Sequence, residues 1–499
     1  MKSEKLQKAR DFEERYGPYV PDEQRPMFHL TPTIGWMNDP NGFSVYKGEY
    51  HLFYQYNPYA TEWGPMHWGH VKTRDFIRWE RLPVALAPDK DYDKNGCFSG
   101  SAIELPDGRQ LLLYTGVRRV WEKNGEVRER QTQCIATGDG TDYEKYEGNP
   151  VISAKALPVG GSHYDFRDPK IWQEGDTYYM VVGNRPADKS GSVLLYESKD
   201  CFHWQYDGVL ASCHNQYGRM WECPDFFPLD GKHVLLVSPQ EMTAVGMEFH
   251  AGNGTVCLIG EYDRARHHLA RESVQAIDYG LDFYAPQTLL TPDGRRVMIA
   301  WMQNWETSGS QPRGTRIFGE MTLPRELSIR DGRLIQTPVR ELESYRKHRT
   351  IYRNVLLSGM TSLQNVKGRV LDMTVNVRPA NESGTYRWFK INVAGDGEHM
   401  TTVRYKPEIN TVRIDRARSG FPHDIVNVRD FTVRPQHGTI KLRIVLDRYS
   451  MELFVNDGEQ AATSMIYTDV NADAISFESD GSVIMDVEKY DLVIEEKNA

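Results

Sequence analysis

Three carboxylates stand close to prolines in stretches of the sequence that are far apart. Asp39 immediately precedes a proline in GWMNDPNG, residues 35–42, and Asp168 does the same in YDFRDPK. Glu222 lies two residues before a proline in MWECPDFF. A single Asp before Pro is usually a turn residue that hydrogen-bonds its own backbone. Three acids at similar places in repeated segments indicate an acidic site instead.

Two kinds of chemistry use such a cluster, metal binding and acid–base catalysis. Hard cations add backbone and amide oxygens to their carboxylate ligands, whereas Arg167 would compete with a cation for the neighbouring Asp168. The pattern therefore favours acid–base chemistry without a metal or another cofactor. Hydrolysis of a sugar acetal needs one ionised and one protonated carboxyl group in distinct environments. A glycoside is the expected substrate.

The neighbours of two of these acids suggest how the roles are divided. Asn38, Asn41 and turn amides around Asp39 offer donors that should stabilise its ionised form and lower its pKa. Glu222 follows Trp221 and precedes a cysteine, a drier setting that should favour its protonated form. The sequence therefore predicts Asp39 as the nucleophile and Glu222 as the general acid and then the general base.

Aromatic residues around the acids suit a sugar, because ring faces pack on the C–H faces of sugar rings. Gln55, Asn38 and Arg167 could supply hydrogen bonds to hydroxyl groups. These aromatic residues lie at or beside predicted inner-strand ends, and Trp301 is a predicted substrate contact. The group comprises Trp36, Trp63, Trp68, Phe98, Trp221, Trp301 and Trp305.

The elements that must position these side chains form a repeat. Five segments share the order apolar strand, polar turn with glycine, apolar strand, which is the pattern of a β-hairpin. Spacers such as 73–80 and 198–205 resemble each other and should add outer strands. Five four-stranded units predict a five-bladed β-propeller, with a chance run of hairpins in a β-sandwich as the alternative. The turn glycines, separated by 60, 67, 56 and 63 residues, are Gly48, Gly108, Gly175, Gly231 and Gly294.

The propeller has a direct consequence for the acids. The innermost strand of every blade lines one central funnel, so side chains at corresponding points of different repeats converge. Ser99 occupies this place in the second repeat. Like charges at such short range repel unless one binds a proton. Residues 246–255 and 305–314 are expected to form loops over the funnel mouth.

The 499 residues divide into four parts by sequence texture. Residues 1–26 form a charged, partly helical extension, and 27–340 contain the propeller. Residues 341–354 read as a linker. Alternating strands from 355 to 499 predict a β-sandwich with an accessory role. The whole chain is therefore predicted to be all-β, a five-bladed β-propeller followed by a C-terminal β-sandwich.

Composition limits the partners. A formal net charge of −9 argues against nucleic acid. The sequence shows no secretory signal and no apolar run long enough to span a membrane, so a cytoplasmic protein is expected. Six scattered cysteines read as reduced, buried thiols. A small-molecule sugar is the expected partner, and a homo-oligomer is compatible with this composition.

Five motifs in a fixed order resemble glycoside hydrolase family 32, the β-fructofuranosidases. HLTPTIGWMNDPNG (29–42), HLFYQYNP (51–58), FSGS (98–101), FRDP (166–169) and WECPD (221–225) carry the resemblance. LRIVLDRYSMELFVNDGE (442–459) is similar to the C-terminal signature of the same family. Nearly the whole chain is covered.

The resemblance implies a retaining mechanism on sucrose, sucrose 6-phosphate or short fructo-oligosaccharides. Asp39 would be the nucleophile, Glu222 the acid/base, and Asp168 would stabilise the transition state by binding ring hydroxyls. Retention implies carboxyl groups about 5–5.5 Å apart. Fructosyl transfer and fructan exo-hydrolysis with the same acids remain alternatives, as do an inverting furanosidase and an inactive lectin. The residues implied to line the fructose pocket are Asn38, Gln55, Trp63, Phe98, Ser99 and Arg167.

Overall fold

The computed structural model describes residues 3–153, 156–308, 314–381, 386–420 and 426–494. Helix α1, Glu4–Tyr16, begins at the cap Ser3, whose side chain accepts a hydrogen bond from the Leu6 backbone at 3.2 Å. α1 packs on the first blade, where Arg10 Nε donates to the Val84 carbonyl at 2.9 Å. Short 3₁₀ turns cover Gly17–Tyr19, Asp22–Gln24, Arg340–Tyr345 and Pro407–Ile409. No helix in these ranges is long and apolar enough to cross a membrane.

The first part of the chain is a five-bladed β-propeller, as predicted. Each blade is an antiparallel sheet of four consecutive strands, and the fifth blade skips one short strand. Blade one contains β1 Gly35–Tyr46, β2 Glu49–Asn57, β3 His67–Thr73 and β4 Glu80–Leu86. Blade two contains β5 Gly96–Glu104, β6 Gln110–Trp121, β7 Val127–Gly138 and β8 Tyr143–Lys145. Blade three contains β9 Phe166–Glu174, β10 Thr177–Asn184, β11 Ser192–Ser198 and β12 Gln205–Ser212. Blades four and five contain β13 Met220–Leu229, β14 Lys232–Gln240, β15 Val256–Asp263, β16 His268–Ala276; and β17 Tyr284–Leu290, β18 Arg296–Trp301, β20 Arg325–Arg330, β21 Arg333–Pro338.

The strand before each predicted turn is the innermost strand of its blade. β1, β5, β9, β13 and β17 are neighbours around a ring, and β17 also contacts β1, which closes it. The skipped strand, β19 Ile317–Phe318, leaves the fifth blade and pairs in parallel with the start of β1. Apolar runs buried on both faces, such as the Leu111–Tyr114 stretch of β6, fill the space between blades.

The C-terminal part is a β-sandwich built around one long bent strand. β31, Ala474–Leu492, pairs through its first half with β24 and through its second half with β23, while β22 runs along it. The strands are β22 Arg346–Thr361, β23 Leu371–Pro379, β24 Trp388–Gly395, β25 Thr401–Lys406, β26 Thr411–Asp415, β27 Val428–Thr432, β28 Ile440–Leu446, β29 Ser450–Val455, β30 Gln460–Met465 and β31. β22 begins at Arg346, inside the segment that the sequence pattern marked as a linker.

Candidate active site

A β-bulge interrupts every inner strand at the same level of the funnel. The bulged residues are Asn38–Asp39, Ser99, Asp168–Pro169, Cys223–Pro224 and Ala285–Pro286. A bulge bends its strand and re-aims a side chain that would otherwise point between blades. Asp168, Cys223 and Ala285 adopt positive φ values of 68°, 49° and 52°, a rare conformation for residues other than glycine. The repeated bulge turns Asp39 and Asp168 toward the funnel and brings Cys223 into contact with both.

Asp39 is held at the end of β1 by donors from two blades. Asn38 Nδ2 donates to Asp39 Oδ1 at 3.1 Å, and Ser99 Oγ donates to Oδ2 at 2.8 Å. The thiol of Cys223 lies 3.7 Å from the same Oδ2. Burial and the charge of Glu222 nevertheless raise the pKa of Asp39 to about 6. The sequence-based expectation of a lowered pKa is wrong, because it counted local donors and omitted burial and a second acid.

Asp168 approaches the same point from the third blade. Its Oδ2 accepts a hydrogen bond from the Cys223 backbone N–H at 3.0 Å, so one residue of the fourth blade contacts both Asp39 and Asp168. Asp168 is 6% exposed. Burial raises the pKa of Asp168 to about 7; Arg167 opposes this change, and the charges of Glu222 and Asp39 add to it.

Glu222 lies between a cation and a phenol. Arg167 donates twice to Glu222 Oε1, at 3.0 Å from Nε and 2.9 Å from Nη2. The hydroxyl of Tyr284 lies 2.6 Å from Oε2. Glu222 therefore has a cation and a hydroxyl as its partners, whereas the sequence predicted its setting from Trp221 and Cys223. Trp221 points away, with its N–H on the Tyr217 carbonyl at 2.7 Å.

Glu222 also differs in register from the other two acids. It is the last paired residue before its bulge, opposite Ser238, whereas Asp39 and Asp168 lie within theirs. Arg167 and Tyr284 occupy the same register in the neighbouring blades, opposite Gly183 and Trp301. Three adjacent blades therefore place Arg167, Glu222 and Tyr284 side by side.

Tyr284 was missed from the sequence, although a signal for it exists. FYAP at 283–286 occupies in the fifth blade the place that FRDP and WECP occupy in the third and fourth. The Tyr284 hydroxyl lies 3.1 Å from the Ser238 carbonyl as well as 2.6 Å from Glu222. A hydroxyl carries one proton and a carbonyl can only accept. Tyr284 can therefore donate to ionised Glu222, or donate to Ser238 and accept from protonated Glu222.

Two predicted sugar contacts lie at the funnel rim. Trp63 is 41% exposed and meets the half-buried Phe98 edge to face, with ring centroids 5.9 Å apart. Gln55 is 2% exposed and donates through Nε2 to the Cys97 carbonyl at 3.0 Å. Asn38, Ser99 and Arg167 contact the acids directly, as described above.

Trp301 does not present a surface to a ligand. Its side chain is fully buried and packs under Trp36 and Trp305, with ring centroids 5.9 Å and 5.1 Å away. The predicted substrate contact is corrected to a supporting position. Trp301 is the last residue of β18, opposite Tyr284, and belongs to a buried cluster of aromatic rings.

The two segments predicted as mouth loops contact each other. Asn253 donates through its backbone N–H at 2.7 Å and its amide at 3.0 Å to Glu306 Oε1. Residues 309–313 of the second segment lie outside the described residues. A short bridge joins Phe249 of the first segment to Val245, the residue just before it.

Comparisons with known proteins agree with this fold and site. The model of the glycosyl hydrolases family 32 N-terminal domain matches residues 29–338, and the model of the family 32 C-terminal region matches 341–493. A sucrose-6-phosphate hydrolase of Zymomonas mobilis is 38% identical over 480 residues, which cover 93% of this chain and 91% of that protein. A raffinose invertase of Escherichia coli is 39% identical over 460 residues, covering 90% and 91%.

Solved structures show the same architecture. A mutant of the Bombyx mori GH32 beta-fructofuranosidase, in complex with sucrose, superposes with a TM-score of 0.83 at 34% identity and covers 98% of both chains. The propeller with its funnel of carboxylates defines a glycoside hydrolase. The chain belongs to glycoside hydrolase family 32.

Proposed function

We propose that this protein releases β-D-fructofuranosyl units from sucrose, sucrose 6-phosphate or short fructo-oligosaccharides by a retaining double displacement. The observation that carries the proposal is that Asp39 and Asp168 both contact Cys223, whose neighbour in the chain is Glu222, so that acids from three blades meet. The fructosyl specificity in this proposal is taken from the relatives, a sucrose-6-phosphate hydrolase and a raffinose invertase.

In the first step Glu222 gives its proton to the glycosidic oxygen as the bond from C2 to that oxygen breaks. Asp39 Oδ1 or Oδ2 forms a bond to C2, which produces a fructosyl ester and frees the leaving sugar. Asp39 and Glu222 are partly exposed, which suits two groups that exchange bonds or protons with the substrate. Asp168 would bind ring hydroxyls and stabilise the oxocarbenium-like transition state.

In the second step Glu222 takes a proton from water, the water oxygen attacks C2, and the ester bond to Asp39 breaks. The Tyr284 hydroxyl suits both steps, because it can accept from protonated Glu222 and donate to ionised Glu222. Arg167 holds the Glu222 carboxyl group in place through two hydrogen bonds to Oε1.

The cysteines support a reducing compartment for this activity. All six are free and buried, as in proteins of the cytoplasm, where thiols stay reduced. We infer a cytoplasmic enzyme that acts on a small imported sugar.

The test is release of glucose and fructose from a panel of sucrose, sucrose 6-phosphate, kestose, inulin and levan. The proposal predicts equal glucose and fructose from sucrose and faster turnover of small substrates than of polymers. An excess of glucose over fructose would show transfer to a sugar acceptor instead. No fructose from any of the five, with an intact fold, would refute the proposal.

A further inference from the structure

The side chain that orients the nucleophile is itself oriented from outside the funnel. Trp36 Nε1 donates to Asn38 Oδ1 at 2.7 Å. Because this contact fixes which end of the amide is the oxygen, the amide N–H₂ must face Asp39, to which it donates at 3.1 Å. The position of the Trp36 indole therefore decides whether Asp39 receives this hydrogen bond.

The indole is held by a short segment that crosses over from the fifth blade. Phe318 stacks on Trp36 with ring centroids 4.6 Å apart and an interplanar angle of 14°. Phe318 belongs to the two-residue strand β19, which pairs with β1 only through Ile317 and Phe318. Gly319 follows at φ 93°, where a Cβ would lie 2.0 Å from the Met37 carbonyl oxygen. A strand of two residues cannot hold this close approach alone.

The sandwich anchors the chain on both sides of the Trp36–Phe318 contact. Before β1, the Asp447 carboxylate accepts from the backbone N–H groups of Met27, Phe28 and His29 at 2.7, 3.0 and 3.2 Å. After β19, Glu452 Oε1 accepts from the Leu323 backbone N–H at 2.7 Å. Both carboxylates belong to the β28–β29 region of the sandwich.

The two anchors are joined through one histidine. His29 Nδ1 lies 2.9 Å from Asp447 and Nε2 lies 3.0 Å from Glu452. Glu320, the residue after the close approach at Gly319, lies 3.6 Å from His29 and accepts from Ser450 Oγ at 3.0 Å. We call His29, Glu320, Arg325, Asp447 and Glu452 the interface network; Arg325 donates to Glu452 at 2.6 Å.

We propose that the β-sandwich positions the nucleophile: the interface network fixes Phe318 against Trp36, and Trp36 sets the amide of Asn38 on Asp39. Phe318 and Trp36 are positioning residues in this proposal, since neither needs to touch the substrate, and Trp36 is 2% exposed. The role goes beyond stabilising the fold, because the same contacts decide the hydrogen bonding of a reacting carboxylate. The inference rests on the proposed function.

The test compares two variants that cut this path at different points with one matched control. Phe318→Leu removes the stacked ring, and Trp36→Phe keeps a ring but removes the N–H donor. Phe227→Leu is the control, because Phe227 is 2% exposed, close to the 4% of Phe318, and packs between blades four and five. Phe318→Tyr is a conservative variant that should retain the stacked ring and therefore keep wild-type activity.

The readout is kcat and KM on sucrose across pH. The hydrogen bond from Asn38 lowers the pKa of Asp39, whereas burial and Glu222 raise it. Both path variants should therefore move the acidic limb of kcat/KM to higher pH and lower kcat by on the order of tenfold. Glu222, Ser99 and Asp168 also act on Asp39 and are untouched in every variant.

The proposal is supported if the acidic limb moves to higher pH in Phe318→Leu and Trp36→Phe. The limb should stay at the wild-type pH in Phe227→Leu and Phe318→Tyr. Loss of melting temperature without a limb shift in the path variants would overturn it and leave these residues a structural role. If Phe318→Leu does not fold, Trp36→Phe decides alone by the same criterion. Failure of the wild-type protein to release fructose would instead refute the proposed function, which keeps the two failures distinct.

Discussion

Two clusters of buried charge in this molecule have opposite electrostatics. In the funnel, Arg167 pairs with Glu222 and lies near Asp168, and the pKa values of Asp39 and Asp168 rise to about 6 and about 7. In the interface network, cations lie between the acids. Burial acts to raise the pKa of both Asp447 and Glu452. His29 and two backbone N–H groups outweigh it at Asp447, and Arg325 with His29 outweighs it at Glu452, so both pKa values are lowered.

The pKa values of His29 and Glu320, two further members of the network, are also shifted. Burial opposes the charge of His29, yet hydrogen bonds to Asp447 and Glu452 raise the His29 pKa to about 10. Burial raises the pKa of Glu320 to about 8 against the effect of His29, so Glu320 is mostly protonated at neutral pH. Buried acids therefore do not identify an active site by themselves. Carboxylates that lack matching cations and lie in a partly open cleft are the better indication of an active site.

The sharpest difference between the clusters should appear on removing the charge of Asp39. Asp39→Asn keeps the shape, removes the nucleophile and should lower kcat by about 10⁴-fold or more. The same change relieves repulsion with Glu222, so the melting temperature should stay equal or rise. Steady-state kinetics and thermal unfolding check both effects. Near-wild-type turnover would exclude Asp39 as the nucleophile.

Removing the proposed acid should have a smaller effect that depends on the leaving group. Glu222→Gln should reduce kcat/KM on sucrose by about 10²–10⁴-fold, the usual contribution of a general acid. An activated aryl fructoside needs little protonation, so its loss in the first step should be much smaller. Stopped assays on both substrates make the comparison. Equal loss on both would point to another acid.

A neutralising change in the interface network should lower stability, unlike the change at Asp39. Asp447→Asn leaves His29 with one carboxylate fewer and weakens three backbone contacts, so we expect a loss of about 3–5 kcal/mol in the free energy of unfolding. Asp480→Asn is the control, because its ion pair with Arg387 is exposed and should contribute about 0–1 kcal/mol. Urea denaturation measures both. A similar small loss in the two variants would contradict the balanced network.

The pH dependence of stability should separate the clusters by range. Asp39 binds a proton more readily folded, with a pKa of about 6, than unfolded, near about 3.8. The free energy of unfolding should therefore fall as pH rises from about 4 to 6, by up to roughly 3 kcal/mol from this group. The contribution of His29 is complete below about pH 6.5 and is lost as pH rises toward 10. Urea titrations should show that Asp39→Asn flattens only the lower range; an unchanged slope there would contradict the raised pKa.

The sequence predicts the parts of this picture that repeat. Regular hairpins with matched turn glycines predict five blades, and the blades predict that acids from blades one, three and four converge. The bulges beside the prolines explain why motif position carries this information: Asp39 and Asp168 lie within their bulges, and Glu222 directly precedes the bulge of its strand.

What the sequence does not reveal depends on contacts between distant segments. The pKa of Asp39 follows from burial and from Glu222, 183 residues away, and not from its own asparagines. The pairing of His29 with Asp447 spans 418 residues and has no periodic signal. The prediction of Trp301 as a substrate contact is wrong because the sequence of a strand end does not show whether its tryptophan faces the ligand or the core.

The most direct test of the central claim is to trap the fructosyl ester. Glu222→Gln, mixed with an activated fructoside and quenched in acid, should accumulate the intermediate, because the second step lacks its base. Peptide mass spectrometry should then find one added anhydrohexose on the peptide that contains Asp39, and none in the Asp39→Asn protein. A label on another carboxylate, or turnover without any label and with inverted configuration of the released fructose, would contradict the assignment of Asp39 and the retaining mechanism.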